Sequence, residues 1–192
     1  MRIFISLNIS KNYLSEIERV QEMIQRDIDS VRCVQTHSMH MTLKFLDSLT
    51  DEELLKLKDP LRAIARYTSP FKASLNRLDI FPGINRARVL WAGFNDGAAD
   101  IALLFRQIEE RLGPLGFSNE DRVFTPHITL GRLKKRVPRK LLKNCLSQIG
   151  HIHIDLGVFS EIHIMESLFR ADKVQYRVVE SFKFEGKRGP KK

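Results

Sequence analysis

The feature that most restricts how this chain folds is a repeated tetrapeptide. His40-Met41-Thr42-Leu43 and His127-Ile128-Thr129-Leu130 share His-x-Thr-Leu, and they stand 87 residues apart in a chain of 192. Each fits a half-buried β-strand. Successive side chains of a strand alternate between faces, so His and Thr share one face while the apolar residues anchor the other. Continued through Lys44-Phe45-Leu46, strict alternation predicts His40, Thr42 and Lys44 on one face and Met41, Leu43 and Phe45 on the opposite one. A spacing close to half the chain suggests an internal duplication, with one motif in each of two similar lobes and a cleft between them.

The surrounding pattern supports a mixed fold. Strands are predicted over residues 2–9, 31–35, 71–75, 88–94, 152–159, 162–169 and 174–184, from short β-branched and aromatic runs bounded by polar residues. Helices are predicted over 11–29, with Ser10 as cap, and over 98–112 and 139–148, from apolar residues at helical spacing. Thr50-Asp51-Glu52-Glu53 is a capping box opening another helix to about residue 66, with Pro60 expected to kink or restart it. Asp172-Lys173 is read as the final turn. Strand pairs joined as hairpins rather than by regular crossovers indicate an α+β protein with mainly antiparallel sheet. No Gly-, Ser- or Pro-rich linker divides it. Residues 1–186 are read as a single bilobal domain, and residues 187–192 as a basic, disordered tail carrying Lys187, Arg188, Lys191 and Lys192.

Two strands facing one groove would present two imidazoles and two hydroxyls to the same ligand. Imidazole titrates near pH 6.5, at about the point where one ring is neutral and the other protonated. That pair supplies a general base and a general acid, and threonine hydroxyls can donate to phosphate oxygens. Cleavage of a phosphodiester is the chemistry such a set suits, with no metal and no cofactor. A zinc site would need a third ligand. His37 is near in sequence, but its odd offset from His40 and the loop-like Ser38-Met39 argue against it.

The charge agrees with an anionic partner. A formal net charge of +9 attracts nucleic acid, nucleotides or acidic surfaces. The two cysteines, Cys33 and Cys145, are too few for a disulfide framework and read as free thiols of a reducing compartment. No segment has the length of a membrane span, and the opening apolar run lacks the pattern of a signal peptide. A cytoplasmic protein, monomeric and away from membranes, is the expectation.

At these residues the chain resembles the 2H phosphoesterase superfamily and, within it, the RNA 2′,3′-cyclic phosphodiesterase family, long called 2′-5′ RNA ligases. The likeness runs through Arg2-Ile3-Phe4-Ile5, His40 to Leu46, Phe81-Pro82, Arg88-Val89-Leu90-Trp91, Phe124 to Arg132, and Ile164-Met165-Glu166-Ser167-Leu168 with Tyr176. It implies a bilobal 2H phosphoesterase-like fold of two pseudo-symmetric lobes, mainly antiparallel sheet with flanking helices and a central groove. It also implies hydrolysis of RNA 2′,3′-cyclic phosphate ends, or of a related nucleotide, to a 2′-phosphate. By the likeness His40 is the proton donor and His127 the proton acceptor, while Thr42 and Thr129 hold phosphate oxygens. Similar proteins are credited with 2′-5′ ligation, the reverse sense of similar chemistry. Two departures stand out: Cys33 where the family often has tryptophan, and Asp47 where glycine commonly follows Phe-Leu.

Arg132 is a further candidate. Strict alternation turns it toward the core with Ile128 and Leu130, whereas the family keeps an arginine here near the phosphate; a bulge would redirect it. Lys44 is read as a groove or solvated edge residue. Phe81 and Trp91 are either core or base-stacking residues. His151 and His153 are read as the solvent face of a strand. The rival reading, from another class, is an RNA- or nucleotide-binding protein that uses the same groove without turnover.

Overall fold

The computed structural model describes residues 1–121, 123–149, 152–170 and 173–187. Its strands are β1 (Arg2–Asn8), β2 (Val31–Cys33), β3 (His40–Ser48), β4 (Phe71–Phe81), β5 (Val89–Phe94), β6 (His127–Leu133), β7 (Ile154–Phe159), β8 (Glu161–Arg170) and β9 (Lys173–Lys183). Its helices are α1 (Leu14–Asp27), α2 (Asp51–Tyr67), α3 (Ala98–Leu112) and α4 (Arg139–Ile149). Two antiparallel sheets result, one in the order β3-β1-β8-β9 and the other β2-β6-β5-β4-β7. The two histidine strands therefore lie in different sheets, each beside a central apolar strand. This is the α+β, two-lobed architecture expected.

The helices tie the lobes together. Helix α1 follows β1 of the first sheet but packs against α4, β2 and β6 of the second lobe. Helix α3 follows β5 of the second sheet but packs against α2 and β3 of the first. The apolar stripe of α3, Ile101, Leu104, Ile108 and Leu112, is buried as its spacing requires. Each lobe thus closes its core with a helix from the other half of the pattern.

The central relation between sequence and fold is a matched pair of β-bulges. Along β3, Thr42 pairs with Ser6 but Lys44 pairs with Ile5, so Leu43 is an extra residue. Along β6, Thr129 pairs with Trp91 but Gly131 pairs with Leu90, so Leu130 is extra. An extra residue reverses the alternation of the residues that directly follow it. Lys44 is turned into the interior and Phe45 out of it; Gly131 goes in and Arg132 comes out. The expectation that Phe45 sits with Met41 and Leu43 in the core, and Lys44 on the groove or edge, is corrected by this one insertion.

Other differences are local. Ser10 precedes a 3-10 turn, Lys11–Tyr13, rather than the α-helix itself, and its side chain makes no capping bond. The capping box at Thr50 and Glu53 is present, with both reciprocal hydrogen bonds. Pro60 neither stops nor restarts α2, which runs through it; buried Leu57 and Leu61 anchor the turns on either side. Strand β2 ends at Cys33; Val34 still donates its N–H to the Leu130 carbonyl (2.9 Å) before the 3-10 turn Thr36–Ser38. Cys33 is half-buried and Cys145 fully buried, both as free thiols. His153 is exposed and precedes β7, while His151 and Asp172 lie outside the described residues. In the basic tail, Lys187 donates its backbone N–H to the Arg66 carbonyl (3.1 Å), and the positions after it lie outside the described residues. Among the described residues no helix is long and apolar enough to cross a membrane.

Candidate active site

Both sequence motifs open onto one cavity. It measures about 300 Å³ and is lined by His40 and Thr42 from β3 and by His127 and Thr129 from β6, so the lobes contribute alike. All four side chains are half-buried, the exposure expected of groove residues. The bulge after each threonine then sets the next wall residue. Phe45 and Arg132 occupy matching positions of the two motifs, and both line the cavity. Arg132 reaches it as the redirected residue that a bulge allows, not as the core-facing one that plain alternation gives.

The imidazoles are held in the same way. His40 Nδ1 lies 2.9 Å from the carbonyl oxygen of Ser38, and His127 Nδ1 lies 2.8 Å from that of Thr125. A carbonyl only accepts, so Nδ1 carries the hydrogen in both rings. Nε2 is then the variable nitrogen: a lone pair when the ring is neutral, an N–H donor when it is charged. Either ring can serve as base or acid through that atom, according to its protonation.

Aromatic neighbours fix the ring planes. His40 packs against Phe4 (4.7 Å between centroids) and meets the edge of Tyr176 at 4.9 Å. His127 meets Phe81 at 5.0 Å and Trp91 at 5.6 Å, and those two rings stack on each other at 4.6 Å. Burial in this apolar setting disfavours the charged ring and lowers the pKa of both histidines below 6.5; the carbonyl acceptors oppose the shift without cancelling it. Trp91 is buried and belongs to the support of His127. Phe81 shares that support and also lines a neighbouring chamber of the groove.

Four further residues complete the picture. Tyr176, on β9 at the far side of the first sheet, reaches the ring of His40 and lines the cavity. Alternation marks it as facing one side of a strand but says nothing of what it touches. Asp47 lines the same cavity with a backbone φ of +53°, the left-handed region that favours glycine. Gln21 of α1 donates to the carbonyls of Val34 and of Leu130, both at 2.8 Å, and so braces the bulge of β6. In the other lobe Lys44, turned inward by its bulge, pairs with Glu109 of α3 and donates to the Ser118 carbonyl at 2.7 Å. His37 is exposed on the 3-10 turn and is not part of the cavity wall.

The chain is similar to known proteins over most of its length. A family model described as the 2′-5′ RNA ligase superfamily matches residues 14–158, which include both motifs. A protein of Methanocaldococcus jannaschii named RNA 2′,3′-cyclic phosphodiesterase is 33% identical over 165 residues, covering 85% of this chain and 88% of that protein. One of the same name from Aquifex aeolicus is 27% identical and covers 95% of this chain and 96% of its own. Among solved structures, TT0787 of Thermus thermophilus matches with a TM-score of 0.81 at 24% identity, over 98% of this chain and all of that one. Escherichia coli LigT complexed with 3′-AMP matches with a TM-score of 0.73 at 18% identity, over 95% and 97%. At these identities the two structures speak for the fold.

Proposed function

The chain belongs to the 2′-5′ RNA ligase superfamily, and from that premise we propose that it hydrolyses the 2′,3′-cyclic phosphate at an RNA end to a 2′-phosphate, without a metal. The observation that carries the reading is the matched tethering of the two rings. Each imidazole has Nδ1 committed to a backbone carbonyl two residues upstream, which leaves Nε2 to the shared cavity. The relatives named for this activity support the substrate class.

The reaction follows from that arrangement. Neutral His127 takes a proton from water through Nε2, and the resulting oxygen attacks phosphorus. The bond from phosphorus to O3′ breaks as protonated His40 delivers its Nε2 proton to O3′. One water is consumed; a 3′-hydroxyl and a 2′-phosphate result. Thr42 and Thr129 donate to the non-bridging oxygens, and Arg132 offers a positive charge at the same wall. The direction of proton transfer rests on the family likeness, because the two rings are held alike.

The test is end-group analysis of an RNA bearing a 2′,3′-cyclic terminus after incubation with the protein and EDTA. A 2′-phosphate is expected. A 3′-phosphate would reverse the leaving group. Retention of the cyclic end, with the RNA still bound, would make the groove a binding site without turnover.

A further inference from the structure

Beyond the histidine cavity the groove continues, and its character changes. A second chamber of about 950 Å³ shares Thr42, Phe45 and His127 with the first. That chamber shares Arg86 and Arg88 with a third space of about 790 Å³, so the three lie in succession along the surface. The far space is lined by Arg86, Arg88, Lys134, Lys135, Arg136 and Arg139, and no carboxylate lies among its described lining residues. One carboxylate, Glu120, stands on the wall of the middle chamber.

All six cations are exposed, and none takes part in an ion pair among the described residues. Among the described residues Lys44, Lys56, Lys58, Arg62, Arg177 and Lys187 meet carboxylates, and none of these lines the far space. Helix α4 also begins at Arg139 with no acidic residue in its first turn, so its unpaired N–H groups and the positive end of its dipole add to the same field. A run of unneutralised cations leading out of a cavity that takes one phosphate is shaped for a chain of phosphates.

We propose that this basic channel holds the backbone of a single-stranded RNA whose 3′ end is seated at His40 and His127, so that the protein acts on ends of RNA chains in preference to mononucleotides. The inference rests on the proposed activity for its register but on its own residues for its chemistry. Each phosphate neutralised by such cations releases condensed counterion, so affinity for a single strand falls with salt at a log–log slope of about 0.7 per contact. A mononucleotide reaches only the histidine cavity and lacks this term.

The experiment compares wild type with the triple variant Lys134→Ala, Lys135→Ala, Arg139→Ala on two substrates: a nucleoside 2′,3′-cyclic phosphate and a short single-stranded oligonucleotide ending in one. The mononucleotide kcat/KM is expected to stay within about twofold, while the oligonucleotide KM rises by about tenfold or more and its salt slope flattens by about 2. Lys134→Arg with Lys135→Arg, which keeps the charge, is expected to retain the wild-type oligonucleotide KM. Fluorescence anisotropy with the same oligonucleotide ending in a 3′-hydroxyl reads the channel separately. Weaker, less salt-dependent binding by the triple variant supports the channel even if wild type turns over no cyclic end. Unchanged oligonucleotide binding, or equal losses on both substrates, overturns it.

Discussion

Phe45 and Arg132 occupy equivalent places in the two lobes, and both face the groove because the residue two before each, Leu43 or Leu130, is bulged out of its strand pairing. The same bulges send Lys44 and Gly131 inward. Each is locked by a helix that the chain borrows from the other half of the pattern: Glu109 of α3 holds Lys44, and Gln21 of α1 holds the carbonyl of Leu130. At Gly131 an added Cβ would lie 2.8 Å from Val31 Cγ2, so β2 leaves no room for a side chain there. The groove wall is thus built by irregularity, and the irregularity is braced from behind.

The brace in the first lobe is a charge pair whose lysine is buried. Lys44 is almost wholly enclosed, and Glu109 also accepts the backbone N–H of Glu120 at 2.8 Å, tying residues 118–120 to α3. Lys44→Met takes the partner from the half-buried Glu109 carboxylate and is expected to cost about 1.5–3 kcal/mol in denaturant unfolding. Adding Glu109→Leu removes the orphaned charge and is expected to recover part of that loss. A cost below about 1 kcal/mol for Lys44→Met would mean that the pair does not hold the bulge.

In the second lobe the brace is neutral. Gln21→Leu strips a donor from the Val34 and Leu130 carbonyls, and is expected to lower stability by about 1–3 kcal/mol. Because Leu130 sets the outward turn of Arg132, KM for a cyclic phosphate should rise as well. Lost stability with an unchanged KM would separate Gln21 from the groove.

How much of this was readable beforehand depends on how local the cause is. His40, His127, Thr42 and Thr129 were legible because their alternation is a property of four consecutive residues. The capping box at Thr50 and Glu53 was legible for the same reason. Lys44 and Phe45 were misplaced because a bulge is decided by the partner strand, and nothing in His-x-Thr-Leu marks the extra residue. Tyr176 lies 136 residues after His40, and only the order β3-β1-β8-β9 brings it near. Pro60 does not restart the helix, which runs on through it with Leu57 and Leu61 buried on either side.

Asp47 puts a carboxylate on the wall of an otherwise cationic cavity, at a backbone angle suited to glycine. Asp47→Gly removes a charge that repels a phosphate and is expected to lower KM for a nucleoside 2′,3′-cyclic phosphate by about threefold at low salt, with the gain fading at high salt. An unchanged or higher KM at low salt would give Asp47 a different role, such as a contact to the base.

The pH dependence follows from burial. Both histidines lose their protons at lower pH than an ordinary imidazole, because the buried site disfavours the charged ring. Activity requires one ring neutral and one protonated. It falls below the pKa of the base and above the pKa of the acid, and both limits are moved downward. The kcat/KM profile of the free enzyme is therefore expected to be bell-shaped with its maximum below pH 6.5. A maximum above about pH 7.5 would require a different acid.

The central claim is that His40 and His127 act together as acid and base on one phosphate. It is tested most directly by kcat/KM for an RNA with a 2′,3′-cyclic end, in EDTA, for His40→Ala, His127→Ala and the double variant. Thermal melts check that each remains folded. Each single variant is expected to lose about 10²–10⁴-fold, and the double variant to lose far less than the product of the two. Either single variant keeping activity within a few-fold of wild type would contradict the account.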